Sequence, residues 1–106
     1  MTGAIIACIV TAYTACDPGM DCRGITATGT RVTAGRTAAA DWSHYPPGTR
    51  LWIAGVGWRT VEDRGGAVDG PARVDVFIPD RAAALAWGIR DTSCILWHDG
   101  HNRGAE

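Results

Sequence analysis

Short apolar stretches bounded by glycine, proline or aspartate constrain the fold of this chain more than any other feature. They are rich in Val, Ile, Thr and Trp, which favour β-strands. The segments between them carry turn residues, such as Pro-Pro-Gly and Asp-Gly-Pro, that reverse or redirect the backbone. We therefore predict six strands and, between two glycines, a further short one at 31–33; the six lie at residues 5–13, 36–40, 50–54, 58–62, 73–78 and 93–97.

Only one segment has helical character. Residues 81–87 consist mainly of strong helix formers, Asp80 is a suitable N-cap, and Gly88 can end the helix in a left-handed conformation. A small sheet removes its exposed edges most completely by closing on itself. The pattern predicts a mainly β fold, namely a small six-stranded barrel with one short helix.

Length and charge limit the possible organisation and partners. A chain of 106 residues with 46% apolar and 20% charged residues is typical of one globular domain. The ten cationic residues are all Arg and form no run, and the net charge is −1, so we expect no nucleic-acid partner. The apolar N-terminus lacks the features of a signal peptide, and no segment is long enough to insert into a membrane. We expect a monomer.

Four cysteines allow two disulfides. Cys16 and Cys22 are the more favoured pair, because they bracket a short turn-like segment. Cys8 and Cys94 lie in apolar stretches, where two buried thiols are at least as well supported as a cross-strand disulfide. A zinc site is less favoured, since no Cys-x-x-Cys pair is present. Residues 98–106 lose the apolar pattern and are predicted to form a disordered tail.

Taken one at a time, the candidate polar residues favour structural roles. Asp75 alternates with valines and fits the solvent face of a strand. Asp41 and Asp63 border turns, where Asp often binds its own backbone. Among the five tryptophans, Trp42 and Trp58 lie near loops. The remaining three are predicted to pack in the core: Trp52, Trp87 and Trp97.

A series of motifs in fixed order, however, resembles the 3D (three-aspartate) domain family over residues 10–96. The motifs are Thr-Ala-Tyr at 11–13, Gly-Ile-Thr-Ala-Thr-Gly-Thr at 24–30, Ala-Ala-Asp at 39–41, Pro-Gly-Thr at 47–49, Glu-Asp-Arg-Gly-Gly at 62–66, Arg-Val-Asp at 73–75 and Ala-x-x-Trp-Gly at 84–88. An ordered set that covers nearly the whole chain is far more specific than any one of its members.

The resemblance implies a single double-psi β-barrel at residues 1–97, related to the catalytic domain of membrane-bound lytic transglycosylases and to stationary-phase muralytic proteins. The implied reaction cleaves the β-1,4 bond between N-acetylmuramic acid and N-acetylglucosamine in peptidoglycan and forms a 1,6-anhydro sugar. Asp75 matches the general acid and base, and Asp63 and Asp41 match its two supporting acids. No cofactor and no metal are implied. The predicted substrate-binding residues are Thr11, Tyr13, Thr26, Gly65 and Gly66. Trp42 or Trp58 could stack on the sugar rings of such a substrate.

The chemistry sets a condition on Asp75. A proton donor near neutral pH needs a raised pKa, which burial in an apolar strand beside other carboxylates would supply, and Asp63 and Asp41 are the expected neighbours. One loop departs from the family pattern, because Asp69 replaces the usual Lys and one extra residue follows it. This departure supports an alternative, a non-catalytic expansin-like glycan-binding barrel. A structural phage virion component is a third possibility.

The implied partner is a peptidoglycan glycan strand. The expected location is extracellular or facing the cell wall, reached by secretion or by delivery from a bacteriophage. A phage holin-type protein would be a possible release partner in the second case.

Overall fold

The computed structural model describes residues 2–17, 21–64, 70 and 72–98, and these contain six strands and one helix. The strands are β1 (Thr2–Tyr13), β2 (Thr37–Ala40), β3 (Arg50–Ile53), β4 (Gly57–Asp63), β5 (Arg73–Phe77) and β6 (Arg90–His98). Helix α1 (Arg81–Trp87) lies between β5 and β6. The predicted contacts at Gly65 and Gly66, the altered residue Asp69 and residues 99–106 of the predicted tail lie outside the described residues. His98, the first residue of that predicted tail, belongs to β6.

The strands form one closed sheet in the order β1-β5-β2-β4-β3-β6, with β6 paired back to β1. Two neighbouring pairs, β1–β5 and β2–β4, are parallel, and the remaining pairs are antiparallel. Because the first and last strands pair with each other, the sheet has no free edge. The predicted mainly β fold with six strands and one short helix is confirmed.

Side chains alternate between the inside and the outside of the closed sheet. On β3, Leu51 and Ile53 are fully buried while Trp52 is exposed. On β5, Val74 and Val76 point inward and Asp75 points outward, as the period of two requires. The inner residues form one core cluster, whose members are Cys8, Val10, Ala38, Ala40, Tyr45, Leu51, Ile53, Val61, Val74, Val76 and Cys94.

This alternation corrects two predictions. Trp52 was expected in the core, but its side chain is 37% exposed on the outer face. Its neighbours Leu51 and Ile53 occupy the inner positions, so the residue between them must face outward. Trp97 was also expected to pack in the core, but it lies outside the core cluster, half-buried on the same outer face as Trp52. Trp87, by contrast, packs against the core as expected.

Both disulfides are formed. Cys8 and Cys94 join β1 to β6 inside the core, which decides between the two alternatives at this pair. The expected bridge between Cys16 and Cys22 closes the turn after β1.

Strand ends differ from the predictions mainly where pairing extends them. β1 and β6 pair continuously from Thr2 opposite His98 to Val10 opposite Arg90, so both are longer than their apolar stretches. The segment at 31–33 makes only an isolated bridge between Ile25 and Arg31, so the further short strand predicted there does not form.

The bounds and the N-cap of the helix match the prediction. The carboxylate of Asp80 accepts a hydrogen bond from the backbone N–H of Ala83. Gly88 has the positive φ of 69° that favours glycine, but its ψ of −144° differs from the expected left-handed conformation. In the described ranges, no helix is long and apolar enough to cross a membrane.

The connection between β1 and β2, residues 14–36, covers part of the outer face. Tyr13, Ala39 and Phe77 form a second buried cluster there, packed under Ala15 and Val32 of this connection. The outer side of β1, β5 and β2 is therefore partly shielded from solvent, which positions the candidate site described next.

Candidate active site

Strand register places two of the predicted acids in one row on the outer face. Asp75 of β5 pairs with Thr11 of β1 on one side and with Ala39 of β2 on the other. Ala39 in turn pairs with Asp63 of β4. Residues paired across strands share a face, so the side chains of this row point the same way. Ala39 contributes only a methyl group, so no large side chain separates the two carboxyl groups.

A bulge determines which acid joins the row. The β2–β4 register shifts between Ala38 and Ala39, so Ala39 faces Asp63. Without that shift, the pairing of Ala38 with Val61 would continue to place Glu62 opposite Ala39. Glu62 instead accepts a hydrogen bond from Thr37 at 2.7 Å and forms an ion pair with Arg36 at 3.0 Å.

Asp75 has the electrostatic environment of a proton donor. Burial raises the pKa of its carboxyl to about 6, and the negative charges of Asp17 and Asp63 act in the same direction. The hydroxyl of Thr11, which donates to Oδ1 at 3.1 Å, and the positive charge of Arg73 oppose this rise. A carboxyl with this pKa is partly protonated near neutral pH.

Asp17 is the site residue that sequence reasoning missed. The sequence indicated only a turn at this position, yet the charge of Asp17 acts on Asp75 more strongly than that of Asp63 does. Its carboxylate accepts hydrogen bonds from the hydroxyl of Thr14 at 2.7 Å and the N–H of Thr14 at 3.1 Å. Arg81 of α1 lies 3.8 Å away, and Cys16 beside it is bridged to Cys22. The only sequence signal was its position just after the Thr-Ala-Tyr motif.

Asp63 serves as a hydrogen-bond acceptor. It is 7% exposed and accepts from the hydroxyl of Tyr13 at 3.1 Å, the N–H of Ala27 at 3.0 Å and the N–H of Arg64 at 2.9 Å. Burial, followed by the charge of Asp63, raises the pKa of Tyr13 well above its ordinary value, so this hydroxyl keeps its proton. Because three donors converge on its two oxygens, Asp63 is held in place as a hydrogen-bond acceptor.

Thr26 shapes the turn that donates to Asp63. Its buried hydroxyl lies 2.8 Å from the hydroxyl of Thr28 and 2.7 Å from that of Thr30, and it accepts from the N–H of Thr30. These contacts fix the backbone of the intervening Ala27. The contacts of Thr26 thus lie within its own turn.

Asp41 stands at the end of β2 and binds backbone. Its Oδ1 accepts from the N–H and the hydroxyl of Ser43, at 3.0 and 2.6 Å, and its Oδ2 accepts from the N–H of Gly70 at 2.9 Å. The Ser43 hydroxyl, followed by the N–H groups of Gly70 and Ser43, lowers the pKa of Asp41 to about 2. The charges that act on Asp75 come from Asp17, Arg73 and Asp63, so the expected like-charge contribution of Asp41 is replaced by that of Asp17.

Trp42, which was predicted to stack on a sugar, has its indole ring held in place by two contacts. Its indole N–H donates to the backbone carbonyl of Asp63 at 3.0 Å, and the guanidinium of Arg64 lies 4.8 Å from its ring centroid. These contacts tie the turn after β2 to the end of β4. Within the described ranges, no group of three or more His, Cys, Asp or Glu side chains could hold a metal ion.

Replacing Asp63 with Asn tests the hydrogen-bond role. If the amide nitrogen faces Tyr13, the O–H of Tyr13 loses its acceptor, and if it faces the backbone N–H groups, these lose theirs. In either orientation, one of the present donors is left without an acceptor. We expect Asp63→Asn to lower the free energy of unfolding by about 2 kcal/mol in urea denaturation at neutral pH. Asp91→Asn, at an exposed acid of β6, is the matched control and should change it by less than about 0.5 kcal/mol. Equal changes in both variants would contradict this role.

Comparisons with known proteins identify the family of this chain. The 3D domain family matches residues 36–97. "Cell wall-binding protein YocH" of Bacillus subtilis is 38% identical over 86 residues, which are 78% of this chain and 29% of that protein. "Putative cell wall shaping protein YabE" of the same organism is 36% identical over 90 residues, or 82% of this chain and 21% of that protein.

Solved structures with a similar fold are lytic transglycosylases. MltA from Escherichia coli superposes with a TM-score of 0.58 at 20% identity, covering 68% of this chain and 26% of MltA. A membrane-bound lytic murein transglycosylase from Agrobacterium tumefaciens gives a TM-score of 0.54 at 27% identity, covering 74% of this chain and 27% of that enzyme. The chain spans less than a third of the length of each of these four proteins. The family match, which covers more than half of the chain, establishes that this chain belongs to the 3D domain family.

Proposed function

We propose that the chain is a peptidoglycan lytic transglycosylase that cleaves the β-1,4 bond between N-acetylmuramic acid and N-acetylglucosamine. The observation that carries this proposal is Asp75, a carboxyl with a pKa of about 6, in one strand row with Asp63. The fold shared with lytic transglycosylases supports it. The structural likeness covers about a quarter of each enzyme, so the activity itself is a proposal for this chain.

In the proposed reaction, protonated Asp75 gives its proton to the glycosidic oxygen, and the bond from that oxygen to C1 of the muramic residue breaks. The carboxylate of Asp75 then takes the proton from the C6 hydroxyl of the same sugar while that oxygen bonds to C1. The product is a 1,6-anhydro ring, no water is consumed, and Asp75 ends protonated as it began. A single carboxyl group therefore suffices for both proton transfers.

The other site residues have supporting roles in this proposal. Asp63 provides negative charge that stabilises the oxocarbenium-like centre, and Thr11 orients the Asp75 carboxyl through its hydrogen bond. Asp17 favours the protonated form of Asp75 by charge repulsion. Asp41 positions the backbone at Ser43 and Gly70. Tyr13 and Thr26 position Asp63, and the predicted substrate contacts of Gly65 and Gly66 stay a prediction.

We also propose the type of barrel, the domain bounds and the cellular location of the chain. Two parallel pairs within the closed sheet are consistent with a double-psi barrel formed by one domain at residues 1–97. Two disulfides fit an oxidising compartment, and the cell-wall names of the relatives fit a location facing the wall. The monomeric state and the phage holin-type partner stay predictions.

A second candidate function is glycan binding without cleavage, and the name of the relative YocH as a cell wall-binding protein favours it. Incubation with purified sacculi, followed by mass spectrometry of the soluble fraction, separates the two. Soluble anhydro-muropeptides support the transglycosylase. Intact sacculi coated with protein support the binder, and fragments with ordinary reducing ends contradict the proposed reaction type.

The pH dependence of cleavage follows from Asp75. Its protonated form must start the reaction, and the protonated fraction falls as pH rises through the pKa of about 6. The initial rate at low substrate is therefore expected to be highest below pH 6 and to fall about tenfold per pH unit well above it. Release of soluble fragments in a series of buffers of equal ionic strength measures this. A rate that rises with pH across this range would contradict Asp75 as the initial proton donor.

A further inference from the structure

A second surface on the closed sheet carries a different set of side chains. On the outer face of β3, Trp52 pairs with Trp58 of β4 and with Ile95 of β6, and Ile95 pairs with Ile5 of β1. In the next row, Arg50 pairs with Thr60 and Trp97. We call this surface the aromatic face, and it consists of Ile5, Arg50, Trp52, Trp58, Thr60, Ile95 and Trp97.

The exposed ring of Trp58 is held in place. Trp58 is 41% exposed, yet the Arg50 guanidinium lies 4.8 Å from its ring centroid and Trp97 contacts it edge to face at 6.0 Å. Trp52 stands between Trp58 and Ile95. Because the Trp58 ring is already positioned, a ligand that stacks on it loses little conformational entropy in ordering this side chain.

The chemistry of this face suits a sugar chain. Pyranose rings present apolar C–H surfaces that stack on indoles, and their hydroxyl and acetamido groups bond to groups such as the Thr60 hydroxyl. Arg50 is the only charged residue of the aromatic face, which complements a polymer whose peptide branches carry carboxylates. A protein partner is less favoured, because a stable protein interface buries roughly 600 Å² or more on each partner and the aromatic face consists of only two short rows.

We propose that the aromatic face is a second glycan-binding site, which takes a β-1,4-linked N-acetylhexosamine chain and is separate from the row containing Asp75. The choice of polymer rests on the proposed function. β4 carries both surfaces, since Trp58 and Asp63 lie five positions apart on it, or about 16 Å. Two contacts with one polymer would raise the local concentration of substrate at Asp75.

The affinity of the Trp52→Ala variant for glycans tests the proposal. This change removes one indole of the aromatic face and leaves the contacts around Trp58 in place. The background is Asp75→Asn, which removes the proposed proton donor, so that binding is measured without cleavage. The probes are a β-1,4-linked N-acetylglucosamine hexamer in calorimetric titration and purified sacculi in co-sedimentation. We expect Trp52→Ala to weaken binding of both about tenfold. Trp52→Phe, which keeps a ring, should recover most of the affinity.

Leu85→Ala is the matched control, because Leu85 is an apolar side chain 69% exposed on α1. It should leave binding unchanged, and thermal unfolding of every variant checks folding. Equal binding by Trp52→Ala and its background would overturn the proposal. So would a dimer of the background protein that Trp52→Ala converts to a monomer. The two proposals can fail separately. If binding depends on Trp52 but the protein with Asp75 intact releases no fragments, the second glycan-binding site is supported and only the proposed function is contradicted.

Discussion

Asp75→Asn is expected to reduce the release of soluble peptidoglycan fragments by about a thousandfold or more, because it removes the group that gives and takes the proton. Asn has nearly the same shape and still accepts the hydrogen bond from Thr11. The measurement is the initial rate of fragment release from purified sacculi by the variant and by the unchanged protein. Full activity in the variant would remove Asp75 from the catalytic role.

The same variant should fold normally. The raised pKa means that folded Asp75 holds its proton more tightly than the unfolded chain does, so stability falls as pH rises from the ordinary Asp value through about 6. Asp75→Asn removes this dependence and should be at least as stable as the unchanged protein at neutral pH. Urea denaturation at several pH values measures this difference. A large loss of stability in the variant at neutral pH would assign Asp75 a structural role.

Removal of the Cys8–Cys94 disulfide is expected to have the largest effect on stability. The bridge closes a segment with a sequence separation of 86 and joins the first strand to the last inside the core. Restriction of the unfolded chain by a loop of this length contributes about 4 kcal/mol. The double variant Cys8→Ala, Cys94→Ala should therefore lower Tm by roughly 15 °C or more in calorimetry.

The second disulfide supplies a matched control. Cys16 and Cys22 are separated by only six positions, so the double variant Cys16→Ala, Cys22→Ala should lose about 2 kcal/mol. Its Tm should fall about half as far. Equal losses in the two double variants would contradict the dependence on loop length, and an unchanged Tm without the Cys8–Cys94 bridge would contradict its importance.

Local patterns predicted the fold well because they act over a few residues. The turn clusters located the ends of the strands, and Asp80 and Gly88 located the ends of the helix. The full length of β1 and β6 could not be predicted, since it depends on pairing between opposite ends of the chain. Trp52 was misplaced because aromatic character was given more weight than its alternation with Leu51 and Ile53.

The candidate site was harder to predict because it depends on register. The resemblance named Asp75 and Asp63, but only the bulge in β2–β4 pairing places Asp63 rather than Glu62 beside Ala39. Asp17 acts on Asp75 through space and had no pattern of its own. Asp41 is the third acid matched in the sequence. In the fold, however, its carboxylate accepts hydrogen bonds from Ser43 and Gly70 rather than acting on Asp75.

The origin of the oxygen at C1 of the cleaved muramic residue tests the central proposal most directly. Sacculi are digested in water labelled with heavy oxygen, and the soluble fragments are analysed by mass spectrometry. If Asp75 directs attack by the C6 hydroxyl, the fragments carry an anhydro terminus without the label, and the Asp75→Asn protein releases none. Fragments with labelled reducing ends would mean that water is the attacking group and would contradict the lytic transglycosylase assignment.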